Sequence, residues 1–154
     1  METLTAEEIV KKAVEVEKNG KEFYEKAAEK SGNEKVKQAL KKISEEEIKH
    51  KEIFLDMLEE TKHREIKGEG TGEFMGYLQH YYGNKELFDF GKKEKFSGIK
   101  EVIDFAMQKE LDSVGFYREF YGLVNNDGLK NLDRIIAEEK THFVRLYELK
   151  KEFA

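Results

Sequence analysis

Two polar residues stand where a helical stripe calls for apolar ones, and they constrain the chain more than any other feature. Read as a helix, the stretch around Leu40–Leu58 places Val36, Leu40, Ile43, Phe54 and Met57 on one side in steps of three and four. That is the inward face of a bundle helix. The same rhythm requires inward residues at positions 47 and 50, and the chain puts Glu47 and His50 there. An ionised Glu in a dry core is costly unless it is paired or bound to metal. A lone Glu-x-x-His spacing carries little weight in a Glu-rich chain, because a solvated helix face produces the same letters by chance. Repetition changes that.

The motif Ala13-x-x-x-Glu17-x-x-Gly20-x-x-Phe23-Tyr24 returns 93 residues later as Ala106-x-x-x-Glu110-x-x-Ser113-x-x-Phe116-Tyr117. Leu40-x-x-Ile43-x-x-x-Glu47-x-x-His50 returns 92 residues later as Leu132-x-x-Ile135-x-x-x-Glu139-x-x-His142. A duplicated helical hairpin accounts for both. The absence of proline and the abundance of Glu, Lys, Leu and Ala agree with an all-α chain.

Thr5-Ala6-Glu7-Glu8 reads as a capping box opening a first helix with the stripe Ile9, Ala13, Val16, Glu17, Gly20, Tyr24 and Ala27. Ser31-Gly32-Asn33-Glu34 breaks it and caps a second helix running from about Glu34 to Thr61. Lys62–Ser97 differs in character: it holds six glycines together with Phe74, Tyr77, Tyr81, Tyr82, Phe88 and Phe90. It reads as a long crossover, with a short helix over Glu73–Tyr82 and aromatics that cover the bundle or a partner subunit. Ser97-Gly98 opens a third helix with the stripe Ile99, Ile103, Ala106, Glu110, Ser113, Tyr117 and Phe120. Asn125-Asn126-Asp127-Gly128 reads as a turn. The fourth helix carries Leu132, Ile135, Glu139, His142, Leu146, Leu149 and Phe153, and with the chain ending at Ala154 no fifth helix is expected. The expectation is one domain over residues 1–154: a four-helix bundle of two repeated antiparallel hairpins, about 5–61 and 98–153, joined by the crossover 62–97.

Composition excludes several function classes. No cysteine is present, so disulfides, thiolate metal sites and a catalytic thiol are ruled out. The net charge of −5 comes from 33 acids and 28 bases well mixed along the chain, which provides no basic stripe for nucleic acid. No run of about twenty apolar residues could span a membrane. The N-terminus lacks the pattern of a signal peptide, so a cytoplasmic protein is expected.

Spacing then places the polar residues. In each hairpin the two inward Glu lie some fifteen residues from the turn, or about 22 Å at 1.5 Å per residue, so they face each other at one level. If the hairpins dock about a pseudo-two-fold axis, Glu17, Glu47, His50, Glu110, Glu139 and His142 meet mid-bundle. Four buried Glu at one depth with nothing between them are electrostatically untenable, and two dications would stabilise them. Carboxylates with one imidazole per metal and no thiolate suit iron or manganese better than structural zinc. One Glu from each of two helices plus Glu-x-x-His from the other two is an established pattern for di-metal carboxylate bundles.

At these residues the chain resembles the rubrerythrin branch of the ferritin-like superfamily, over both hairpins. The resemblance implies a ferritin-like fold and a di-iron centre, with manganese or a mixed pair as alternatives. It implies Glu17 and Glu110 as terminal ligands, Glu47 and Glu139 as bridging ligands, and His50 and His142 as one ligand to each iron. Tyr24 and Tyr117, seven residues past their Glu, lie on the same face, where they are either hydrogen-bond partners of a ligand carboxylate or ordinary core tyrosines. Two departures stand out. Full-length rubrerythrins add a cysteine-rich rubredoxin domain, so here a separate rubredoxin-like donor is expected. They also carry an extra Glu one turn past the third-helix ligand, a position held here by Ser113.

The implied activity is reduction of hydrogen peroxide, or of dioxygen, with electrons from that donor. The alternatives are a ferroxidase that handles iron and an interaction module clamped by metal without turnover. His63, beside Lys62 and Arg64, reads as solvated near the negative end of the second helix, and His80 has no assigned role. A long crossover allows hairpins to exchange between subunits, so a homodimer, with swapped hairpins as a variant, is expected.

Overall fold

The computed structural model describes residues 5–61, 73, 76–77, 80, 95–124 and 126–153. Four long helices dominate them: α1 (Ala6–Lys30), α2 (Glu34–Thr61), α3 (Ile99–Arg118) and α4 (Asn126–Lys151). Most of the expected crossover, including His63 and most of Glu73–Tyr82, lies outside the described residues; His80 is described and exposed.

Local chemistry sets the helix ends. The Thr5 hydroxyl accepts from the Glu8 amide at 3.2 Å while the Glu8 carboxylate accepts from the Thr5 amide at 2.6 Å, a complete capping box. The Asn33 side-chain oxygen accepts from the Val36 amide at 3.1 Å and so satisfies a free donor in the first turn of α2. Before α3, both the backbone and the hydroxyl of Ser97 donate to Glu101 at 2.6 Å. One expectation is corrected here. The α3–α4 connection is a 3₁₀ turn over Glu119–Gly122 followed by Leu123 and Val124, and α4 already begins at Asn126. Asp127 and Gly128 therefore lie in the first turn of α4, where an acid near the positive helix end is favourable.

Contacts across the bundle give the direction of each helix. Tyr24 meets Glu110 while Tyr117 meets Glu17, so numbering rises on α1 as it falls on α3. His50 meets Glu138 while His142 meets Glu46, and α2 and α4 likewise run antiparallel. With each hairpin also antiparallel, α2 and α3 must point the same way. A parallel neighbour cannot be reached by a tight turn, because the end of α2 and the start of α3 lie at opposite ends of the bundle, about 40 Å apart for a helix of 28 residues. That requirement is the physical reason for a long segment between Thr61 and Ile99.

The core is split in two. On one side Ile9, Ala13, Val16, Phe54, Met57, Phe120, Leu132 and Ile135 pack together. On the other lie Phe23, Val36, Leu40, Ile43, Ile103, Ala106 and Leu146. Between the two apolar layers sits a layer of charge. Among the described residues no helix is long and apolar enough to cross a membrane.

Candidate metal centre

The charged layer consists of Glu17 from α1, Glu47 and His50 from α2, Glu110 from α3, and Glu139 and His142 from α4. All six are no more than 2 % exposed. Each sits on the inward stripe of its helix because the 3.6-residue repeat places it there, and the apolar layers above and below exclude water.

The six residues form two overlapping groups. Glu17, Glu47, His50 and Glu139 offer ligand atoms within 4.8 Å of one another, and so do Glu47, Glu110, Glu139 and His142. Glu47 and Glu139 belong to both. The two imidazoles stack with centroids 5.8 Å apart.

Hydrogen bonding tests whether metal fits. One buried atom of each residue has no hydrogen-bond partner: Glu17 Oε2, Glu47 Oε1, His50 Nδ1, Glu110 Oε2, Glu139 Oε1 and His142 Nδ1. These atoms face one another. His50 Nδ1 lies 2.7 Å from Glu139 Oε1 and 3.6 Å from Glu17 Oε2, and His142 Nδ1 lies 3.2 Å from Glu47 Oε1, without hydrogen-bonding alignment. Buried polar atoms in native proteins are nearly always paired. Six unpaired donor atoms converging in two groups are the coordination set a pair of cations would satisfy, and the residues fit such a pair.

The outer atoms of Glu17, Glu110, His50 and His142 are each held. Tyr24 donates to Glu110 Oε1 at 2.5 Å and Tyr117 donates to Glu17 Oε1 at 2.6 Å, so each tyrosine orients the carboxylate of the other hairpin. His50 Nε2 lies 2.5 Å from Glu138 Oε2, and His142 Nε2 lies 2.6 Å from Glu46 Oε2. Arg134 and Arg145 in turn donate to Glu138 and Glu46, each at 2.9 Å. Each carboxylate holds its imidazole with Nδ1 toward the centre, as outer partners of metal-bound histidines do. Sequence reading missed Glu46 and Glu138. Their signal is the doublet Glu46-Glu47, repeated as Glu138-Glu139; adjacent helix positions point about 100° apart, which marks the first member of each doublet as surface. Replacing Glu46 or Glu138 with Ala is expected to weaken metal binding about 10- to 100-fold with the helical signal unchanged, measured by competition with a chromophoric chelator.

In the absence of metal the layer must hold protons. Burial pushes the Glu47 carboxyl well above the ordinary range, helped by the negative charges of Glu17 and Glu110. Burial does the same for Glu139, with Glu110 and Glu47 adding to it. For His142 burial works downward, but Glu110 outweighs it and raises the imidazole to about 9. His50 is raised further, against burial, by Glu17 and Glu139. Burial would also raise Glu110, yet the neighbouring Glu139 carboxyl and the charge of His142 hold it low. Four carboxylates this close to one another cannot all ionise without neutralising positive charge.

A four-helix bundle with a parallel α2–α3 crossover and a mid-bundle Glu/His cluster defines a ferritin-like protein with a candidate metal centre. The Rubrerythrin family profile matches residues 8–150, and the chain belongs to that family. Among solved structures it is similar to a Thermotoga maritima protein described, by inference, as a ferritin-like diiron-carboxylate protein. The two share 26% identity and a TM-score of 0.73, covering 100% of this chain and 99% of that one. A comparison with curated proteins finds no match.

Proposed function

We propose that the protein is a non-haem di-iron carboxylate oxidoreductase that reduces hydrogen peroxide to water with electrons from a separate, rubredoxin-like donor. The observation carrying this reading is the set of six buried, unpaired donor atoms divided between two groups that share Glu47 and Glu139. In it Glu17, Glu47, His50 and Glu139 would hold one ion and Glu47, Glu110, Glu139 and His142 the other, with Glu47 and Glu139 common to both groups. Iron suits a carboxylate-rich set without thiolate, as does manganese or a mixed pair. When bound, an iron pair supplies the two electrons that peroxide reduction consumes.

The chain's own residues do the rest. Tyr24 and Tyr117 fix the outer oxygens of Glu110 and Glu17, leaving one oxygen of each to face the centre. Glu46 and Glu138 hold the imidazole orientation. The apolar layers on both sides exclude bulk water and strengthen every electrostatic contact within. The reading also includes a homodimer, with hairpin exchange as a variant.

A second reading is favoured by Ser113, which is buried where an extra, redox-mobile Glu would stand. Without that carboxylate a symmetric site suits oxidation of Fe(II) and its transfer onward. Anaerobic loading with Fe(II), then separate mixing with hydrogen peroxide and dioxygen, distinguishes the two. Rapid oxidation by peroxide, with dioxygen slow, is the result expected here. Rapid oxidation by dioxygen with iron turnover would favour the ferroxidase, and an inert metal would leave only a structural clamp.

A further inference from the structure

Away from the charged layer, at the bundle end where α1 turns into α2 and α3 begins, lies an open cavity of about 1080 Å³. Its apolar wall includes Phe23, Phe96, Ile99, Val102 and Phe153. The wall is rigid. Phe23 and Phe96 meet edge-to-face at 5.8 Å, and both pack on Phe105 with centroids 5.3 and 5.4 Å away. An ion pair between Lys35 of α2 and Glu152 holds the last turn, which carries Phe153, against the start of α2.

Among the described residues that line the cavity the charge is all of one sign: Lys26, Lys30 and Lys95 are there and no acid is, although the whole chain carries a net charge of −5. Among the described residues none of the three lysines makes an ion pair, whereas Lys11, Lys21, Lys150 and Lys151 all do. The other polar groups of the lining are used locally: the Asn33 amide donates to the Ser31 hydroxyl, and the Asn33 side chain caps α2. An apolar concavity of this size with a few convergent polar groups has the usual character of a small-molecule site.

We propose that this cavity binds an amphipathic carboxylate, a molecule with an aliphatic or aromatic body and a single anionic head. The body packs against the Phe23–Phe96 wall and leaves water. The head stays at the partly solvated rim among three ammonium groups, where its charge is neutralised without full desolvation. A cationic amphiphile of the same length meets the same wall but is repelled at the rim, and a neutral one gains nothing there. Phe23 also packs edge-on to Tyr24 at 5.3 Å, and Tyr24 holds Glu110, so the occupant lies two side chains from the charged layer. The proposal does not depend on the redox reading.

The test is titration of the full chain, loaded with metal, with dodecanoate below its micellar concentration, followed by calorimetry and by amide chemical shifts. One saturable site per chain is expected, with the largest shift changes at Phe96, Gly98 and Phe153. Dodecyltrimethylammonium should bind at least about tenfold more weakly, as should dodecanoate to the exposed-surface variant K26E/K30E, while K26R/K30R retains binding. Absence of saturable binding would overturn the proposal. Equal binding of the cationic amphiphile, an unchanged affinity in K26E/K30E, or shift changes centred elsewhere would do so too. The shift map on the unmutated chain decides the matter even if K26E/K30E fails to fold.

Discussion

Stripped of metal, the protein is expected to melt at a lower temperature at pH 9 than at pH 5.5, and Fe(II) or Mn(II) should reverse that order. Below about pH 4.5, the ordinary carboxyl value, Glu47 and Glu139 are protonated whether the chain is folded or not. Above it the unfolded chain releases those protons while the folded chain, because of burial and the surrounding carboxylates, keeps them. The folded state then binds more protons, and stability falls as pH rises. The histidines act in the same direction. Their contribution is fully present below about 6.5, and for His142 it is lost as pH rises from there through about 9. His50, raised further, keeps part of its contribution beyond that range. Glu110 opposes them: its lowered value stabilises the fold above about 4.5 and is lost as pH falls through its folded value. Glu138 and Glu8, also held low, act as Glu110 does, but all three lose their contribution only below the ordinary carboxyl value, so between pH 5.5 and 9 the downward trend is left unopposed.

Metal inverts the slope because its ligands must be deprotonated, so affinity grows with pH. At a thousandfold excess over the dissociation constant, binding adds about 4 kcal/mol, or roughly 10 °C for a chain of this size. Thermal melts at pH 5.5, 7 and 9, with chelator and with anaerobic Fe(II), measure both trends. A metal-free melting temperature that climbs from pH 6.5 to 9 would contradict the protonated layer.

The second large effect is expected from Glu47→Ala and Glu139→Ala. Each carboxylate belongs to both four-residue groups, so its removal takes a donor from both positions at once. Loss of paired metal binding by more than about a hundredfold is expected, beyond what outer partners produce. The bundle should nevertheless stay folded without metal, because each change deletes a buried acid that must otherwise be neutralised. At pH 8 the metal-free variants should melt no lower than the metal-free parent. Metal-to-protein ratios after equilibrium dialysis, read beside far-ultraviolet circular dichroism, separate the two effects. Two metals retained in either variant would refute the bridging role.

Much of this was legible from residue letters. The periodic stripes carry the four helices, and residues 17, 47, 50, 110, 139 and 142 all lie buried in one layer. The helix α4 starts earlier than the turn composition of Asn125-Asn126-Asp127-Gly128 implies. Asp127 and Gly128 are tolerated in a first helical turn, and the chain keeps a helical path through Gly122 and leaves it only at Leu123 and Val124, just before α4. Glu46 and Glu138 were passed over because they sit beside the stripe, not on it.

Helical period tells which side of each helix faces inward, and the counted distance from each turn tells how high a residue sits; neither depends on the partner. Which residue meets which across the axis is a different kind of information. Tyr24 pairs with Glu110 and not Glu17, and Glu46 with His142 and not His50, through contacts 86 and 96 residues apart. Residues so far apart leave no local pattern, because they meet only when two antiparallel hairpins pack face to face. The rotation and offset of that packing come from how the two apolar layers interlock.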